Sequence, residues 1–281
     1  GSALQYVPEP WQYRLKRNLR ARFRSSEFDV DFRTNDLGLR GPEVGVKKGR
    51  RILGLGDSFA MGFGVEYAQT YLAVLEHLLE EKGDDAQTVN AGVVGYNLHN
   101  SCEYFSGAGS GLDPDVAVLQ IWIGDDLPVY PEPFRPLEKE RASWSLRGKT
   151  FVRHSHLAMF ARDRLRAFGS LRGWLLREGL IEPFRADQYL RAGLEQRWGS
   201  GSIGRLASLL ERFQAICHRR GIRPVALLVP MKEQVDERFW KRALAHDRIE
   251  PRPDEVDLEA PNRIVREIAG QKGIQLVDLL D

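Results

Sequence analysis

The sequence predicts an α/β protein, a three-layer α/β/α sandwich on a five-stranded parallel sheet with an inserted helical region. Three observations predict it. Short apolar runs of strand length alternate with segments of helical period. The runs lack the polar alternation of half-exposed strands, so both sheet faces must be covered. Glycine, asparagine and aspartate cluster just past the ends of the first three runs, where an open parallel sheet binds its ligands. The 281 residues are 42% hydrophobic, enough to build a core for one large domain or two small ones.

Each element can be justified in turn. Residues 1–50 read as an N-terminal extension packing on the domain, rich in Arg and aromatics from Tyr6 to Phe28, with turn chemistry from Asn35 to Pro42. Arg51 to Gly56 is the first strand, followed by a helix from Thr70 to Lys82 with Leu72, Leu75, Leu78 and Leu79 on one face and Gly83 as the stop. Thr88 to Ala91 is the second strand, Leu98 to Phe105 a helix, and Val116 to Ile123 the third strand. Helices at Ile203 to Arg220 and Pro261 to Lys272 precede the fourth and fifth strands, Pro224 to Pro230 and Ile274 to Leu280. Right-handed crossovers between such units give a flavodoxin-like arrangement over residues 51–281. A helical insert is expected at about residues 128–202: Pro128, Pro131, Pro133 and Pro136 lead into an Arg-rich amphipathic segment from Leu157 to Leu180.

Composition excludes several classes. A net charge of +2 does not argue for nucleic acid. No apolar run approaches the roughly 18 residues of a membrane span. Gly1-Ser2 reads as a cloning scar, so an upstream anchor and an extracytoplasmic bacterial location stay open, membrane proximity with them. Cys102 and Cys217 stand far apart without a CxxC or Cys/His cluster, which excludes a zinc site and a disulfide scaffold; no cofactor is expected.

The strand ends carry the chemistry. Gly56-Asp57-Ser58-Phe59 follows the first strand, Gly92 to Asn97 the second, and Gly124-Asp125-Asp126 the third. A serine on a sharp strand-to-helix turn exposes its hydroxyl beside backbone N–H groups able to hold an oxyanion, an arrangement suited to acyl transfer. The same serine could instead cap the next helix. The acids Asp57, Asp125 and Asp126 could rim a magnesium site of the receiver-domain kind, although no lysine ends the fifth strand as that chemistry requires.

These blocks resemble the SGNH or GDSL hydrolases, in bacterial forms with a helical insertion. Gly56 to Phe59 matches the first block, Asn90 to Gly95 the Asn-x-x-x-x-Gly context of the second, and Asp125-Asp126 stands where the third has Asn-Asp. The likeness spans residues 30–281 and includes Asn35 to Pro42 and Leu227 to Pro230. It implies Ser58 as nucleophile, an oxyanion hole from the Ser58 and Gly95 N–H groups with Asp125 at the third position, and supporting roles for Asp57 and Asp126. The implied substrates are small acyl esters or O-acylated carbohydrates, hydrolysed with water as acceptor or transferred to a sugar hydroxyl.

Two departures follow. Asp125 replaces an asparagine, and an ionised carboxylate cannot donate. A lost donor costs about 3 kcal/mol, and a charge about 4 Å from the oxyanion adds roughly 4 kcal/mol of repulsion. Together they would remove about five powers of ten in rate. The Asp-x-x-His block that supplies the base does not occur up to Asp281, so a truncated longer enzyme is expected. The other histidines offer poor substitutes: His99 could reach the pocket rim, His154 and His156 lie in the insert, and His77, His218 and His246 sit among charged helix residues. The alternative is a catalytically impaired domain of this type that binds a glycan or a protein partner.

Overall fold

The structure, a computed structural model, describes residues 3–124, 200–247 and 250–281. They fall into two compact units, residues 3–124, 200–238 and 251–281 in the first, and 239–247 with 250 in the second. The helical insert expected from residue 128 lies outside the described residues as far as residue 199.

All five expected strands form one parallel sheet. They are β5 (Arg50–Gly56), β6 (Ala86–Gly92), β7 (Val116–Trp122), β8 (Arg223–Val229) and β9 (Gln275–Asp278), numbered after four short N-terminal strands. Their order across the sheet is β6-β5-β7-β8-β9. The chain therefore steps from β5 outward to β6, then returns to the opposite side of β5 for β7. Reversal of this kind leaves a crevice between the carboxyl ends of β5 and β7, the topological switch point where such folds bind ligands. Ser58 lies two residues past the end of β5 in sequence, after Asp57.

The two faces of the sheet differ because successive side chains alternate. Leu53 and Leu55 of β5 join Leu119 and Ile121 of β7 in a core closed by α3 (Leu98–Gly107), α4 (Ser200–Arg220) and α7 (Ala260–Gln271), with Phe105 and Phe213 rings 5.1 Å apart. On the opposite face β5 presents Gly54 and Gly56. A Cβ on Gly54 would lie 2.3 Å from Leu72 Cδ1, so its absence lets α2 (Tyr71–Glu81) settle onto the strand. A Cβ on Gly56 would lie 2.4 Å from Gln120 Oε1. Thr70 caps α2, accepting from the Ala73 N–H at 3.4 Å.

The N-terminal extension is more ordered than its composition suggests. It forms two antiparallel hairpins, β1 (Leu4–Tyr6) with β2 (Tyr13–Leu15) and β3 (Arg20–Arg24) with β4 (Asp29–Arg33). The first reaches the tip of β6: Tyr13 is fully buried with its ring 5.0 Å from Tyr96, and Asn100 Nδ2 donates to the Trp11 carbonyl at 3.2 Å. The second stacks Phe23 on buried Phe32, centroids 4.5 Å apart. Two helices also stand between β8 and α7, α5 (Lys232–Val235), where no element was expected, and α6 (Glu237–Asp247), which the sequence marked only by placing His246 among charged helix residues.

Candidate active site

Ser58 opens α1 (Ser58–Met61), a helix of one turn. A single turn fixes many dihedrals for few internal bonds and does not persist unaided. Other parts of the chain hold it instead. The Asp57 side chain accepts from the Phe59 N–H at 2.8 Å as an N-cap. Gln120, buried in β7, places Oε1 3.3 Å from the Asp57 N–H and 3.2 Å from that of Ala60. Exchanging the oxygen and nitrogen of that amide would set donors against donors, so the hydrogen bonds fix its orientation. Met61 N–H reaches the Asp57 carbonyl at 3.0 Å.

The carbonyls are satisfied as fully. Ser58 O accepts from Gly62 and Phe63, and Phe59 O from Gly62, which adopts φ +80° as the left-handed cap. Ala60 O accepts from Asn90 Nδ2 at 2.8 Å. Met61 O and Gly62 O accept from Arg40 Nη1, the first at 2.8 Å, and Val65 O accepts from Arg40 Nη2 at 2.5 Å. Among the described residues, the one N–H between Asp57 and Met61 left without a partner is that of Ser58. The serine is half-buried, and no hydrogen bond of the described residues uses its Oγ.

The second strand end is fastened to the first. Val93 N–H donates to Gly56 O at 3.0 Å, and Asn90 Oδ1 accepts from the Gly92 N–H at 3.0 Å. A Cβ on Gly92 would lie 2.2 Å from Met61 N, so β6 runs directly against the backbone of α1. Gly95 is exposed at φ +80°, a conformation that favours glycine, and its N–H has no partner among the described residues. Asn97 then caps α3, accepting from Asn100 N–H at 3.0 Å.

Beneath the turn, two buried polar atoms have no partner among the described residues, Gln120 Nε2 and the Tyr71 hydroxyl. Burial pushes the Tyr71 phenol well above its ordinary range and the Asp57 carboxylate adds to the effect, so the hydroxyl stays neutral. Each unpaired group costs about 1–3 kcal/mol. Arg40 is buried as well; burial pulls its guanidinium down from its usual value, Glu66 opposes this, and the group stays charged.

Around the serine the surface is aromatic. Phe59 is half exposed with its ring 5.2 Å from Trp122, and Phe63 is equally exposed beside Phe28 at 5.3 Å. His99 lies on α3 with Nε2 3.4 Å from Glu103 Oε1, and Glu103 in turn binds Arg212. His77 is exposed, 3.4 Å from Glu81, and His218 falls in the last turn of α4. Asp125, Asp126, His154 and His156 lie outside the described residues. No three His, Cys, Asp or Glu side chains among the described residues are grouped to hold a metal ion, and no described helix is long and apolar enough to cross a membrane.

Sequence reasoning thus finds Ser58, Asp57 and Gly95 at adjoining strand ends and misses the two groups that hold the serine turn, Gln120 and Arg40. Gln120 had a signal, a lone amide within an otherwise apolar run. Arg40 had none beyond its place in a turn-rich segment.

No family model matches the chain, and no curated protein matches it. Among solved structures, it is similar to AlinE4, an SGNH-hydrolase family esterase, at 18% identity over 83% of this chain and 77% of that one, with a TM-score of 0.37. It is also similar to the psychrotrophic esterase EstA from Pseudoalteromonas sp., at 10% identity over 82% and 77%, TM-score 0.39. Axe2, an acetylxylan esterase from Geobacillus stearothermophilus, gives 13% over 83% and 77%, TM-score 0.39.

Proposed function

We propose that this chain carries the nucleophile and two oxyanion donors of an SGNH-type serine esterase or O-acyltransferase. The observation that carries the reading is the hydrogen-bond pattern of the serine turn, in which other groups engage its backbone and leave the Ser58 N–H unpaired. An amide left unpaired on a tightly held turn is what an oxyanion requires, since a donor already spent elsewhere cannot stabilise developing charge. Gly95 N–H supplies the second donor from the neighbouring tip.

In this reading Ser58 Oγ attacks the acyl carbon while a base removes its proton, and the carbonyl oxygen becomes the oxyanion held by the two amides. Collapse expels the alcohol, protonated as it leaves, and gives the acyl-serine. Water or a sugar hydroxyl then takes the acyl group. The substrates fitting this scheme are small acyl esters and O-acylated carbohydrates. The scheme calls for a general base to take the Ser58 proton, and by sequence order Asp125 replaces the third donor of the family pattern.

The test is covalent capture. The full gene product should react with a fluorophosphonate probe at Ser58, and S58A should abolish both labelling and hydrolysis of p-nitrophenyl acetate. Equal rates in the wild type and S58A would overturn the proposal, and glycan binding without any labelling would favour a non-catalytic domain. Asp125→Asn tests the third donor: turnover rises if the carboxylate faces the oxyanion and stays level if it does not.

A further inference from the structure

We propose that Arg40, contributed by the N-terminal extension, is a positioning residue for Ser58. The inference rests on Ser58 being the nucleophile, but its observations are separate.

Arg40 is 2% exposed and makes no ion pair among the described residues. Glu66, the carboxylate whose charge it feels, is occupied with the Asp31 N–H at 3.0 Å. A buried guanidinium without a paired carboxylate is costly and persists only where its donors are well used. Here Nη1 and Nη2 are spent on carbonyls, while Nε is buried without a partner among the described residues. Nη1 serves Met61 and Gly62, Nη2 serves Val65, and the face of the group lies 4.9 Å from the Phe32 ring centroid.

Met61 and Gly62 end the helix whose first residue is Ser58, and Gly62 N–H bonds back to Ser58 O at 3.0 Å. In so short a helix the position of the last carbonyls sets the position of the first residue. A cation at this end also complements the helix dipole. Arg40 is itself fixed from two sides, since its backbone bridges to Thr34 and to Asn90, and Asn90 holds Ala60 O. Through its fork and its backbone, Arg40 therefore ties the extension, β6 and the serine turn together. Lysine, a point charge without the planar fork, cannot serve the same set of acceptors.

The experiment uses the full gene product and measures the rate of Ser58 phosphonylation, with kcat and KM for an ester and the Tm of each variant. Wild-type protein that takes no label at Ser58 overturns the nucleophile reading itself, and Arg40's role with it. With wild-type labelling established, R40A should label about 30- to 100-fold more slowly, the scale expected when a reacting group is misplaced by about 1 Å. Its kcat should fall in parallel, KM should stay within about twofold, and added ethylguanidinium should restore part of the rate where ethylammonium does not. R40K should fall between R40A and the wild type. An R40A protein with lowered Tm that labels at the wild-type rate per folded molecule would overturn the proposal, leaving Arg40 a stabilising residue only. Should R40A fail to fold, R40K decides: a wild-type rate overturns the proposal and a slowed rate at unchanged KM supports it.

Discussion

Replacing Gly92 by alanine tests the most crowded contact of the site. The added methyl would sit 2.2 Å from Met61 N, 2.6 Å from Ala60 C and 2.8 Å from Met61 Cα. Normal separations are about 3.5 Å, so the backbone of α1 or the tip of β6 must retreat by more than about 1 Å. Neither is free to do so. Arg40, Asn90 and Gln120 hold α1, and Val93 N–H ties β6 to β5. The Gly92 backbone is not in the left-handed region, so no conformational strain confuses the result, and alanine would by itself favour the folded state slightly. Overpacking of this kind costs about 1–3 kcal/mol, which for a domain of this size lowers Tm by about 2–4 °C per kcal/mol. G92A should therefore melt several degrees below the wild type, and a serine displaced by about 1 Å should label about a hundredfold more slowly. Differential scanning calorimetry and fluorophosphonate kinetics on the same samples provide the assay, with Gly270→Ala as the control. Gly270 lies in α7 with nothing within 4 Å of an added Cβ, and alanine there should gain up to about 1 kcal/mol. A G92A protein with wild-type Tm and labelling rate would refute the packing of β6 on the serine turn.

Other perturbations address the remaining supports. Gln120→Leu keeps the bulk but strips the shared acceptor from the Asp57 and Ala60 N–H groups; a loss of about 2–4 kcal/mol in urea unfolding is expected, and a loss below 0.5 kcal/mol would show that these amides find other partners. Arg212, by hydrogen bonding, holds Glu103 below the usual glutamate range. A depressed carboxylate stabilises the fold above its ordinary pKa of about 4.3 and loses that contribution as pH falls through the folded value. The Tm gap between the wild type and E103Q should therefore be open at neutral pH and close in acid, and a gap that widens in acid would contradict the assignment. Cys102 and Cys217 are buried, and burial pushes the Cys217 thiol up to about 12. Neither should react with Ellman's reagent at mildly alkaline pH until the protein is unfolded, and prompt reaction of the native protein would contradict this burial.

The central sheet is legible because its inner strands β5 and β7 are buried on both faces and so appear as nearly continuous apolar runs; the fifth run overshoots, since Leu279 leaves the strand after Asp278. The hairpins of the extension are harder to see. Arg20, Arg22 and Arg24 alternate with Ala21 and Phe23, and Asp29 and Asp31 with Val30 and Phe32, a period of two that composition alone reads as an Arg-rich tract. At the site, the serine and the glycine announce themselves through local turn chemistry. Their supports do not, since a guanidinium on the carbonyls of a helix some twenty residues away depends on tertiary geometry that no local spacing encodes.

A one-turn helix fastened by side chains from residues 40, 90 and 120 also constrains how the protein comes to be. The nucleophile's geometry cannot ripen early in folding, because three stretches of chain far apart along the backbone must first converge, each paying loop-closure entropy. Reactivity at Ser58 should then be the last property regained on dilution from denaturant, trailing the return of sheet and helix, and no isolated peptide spanning the turn should possess it.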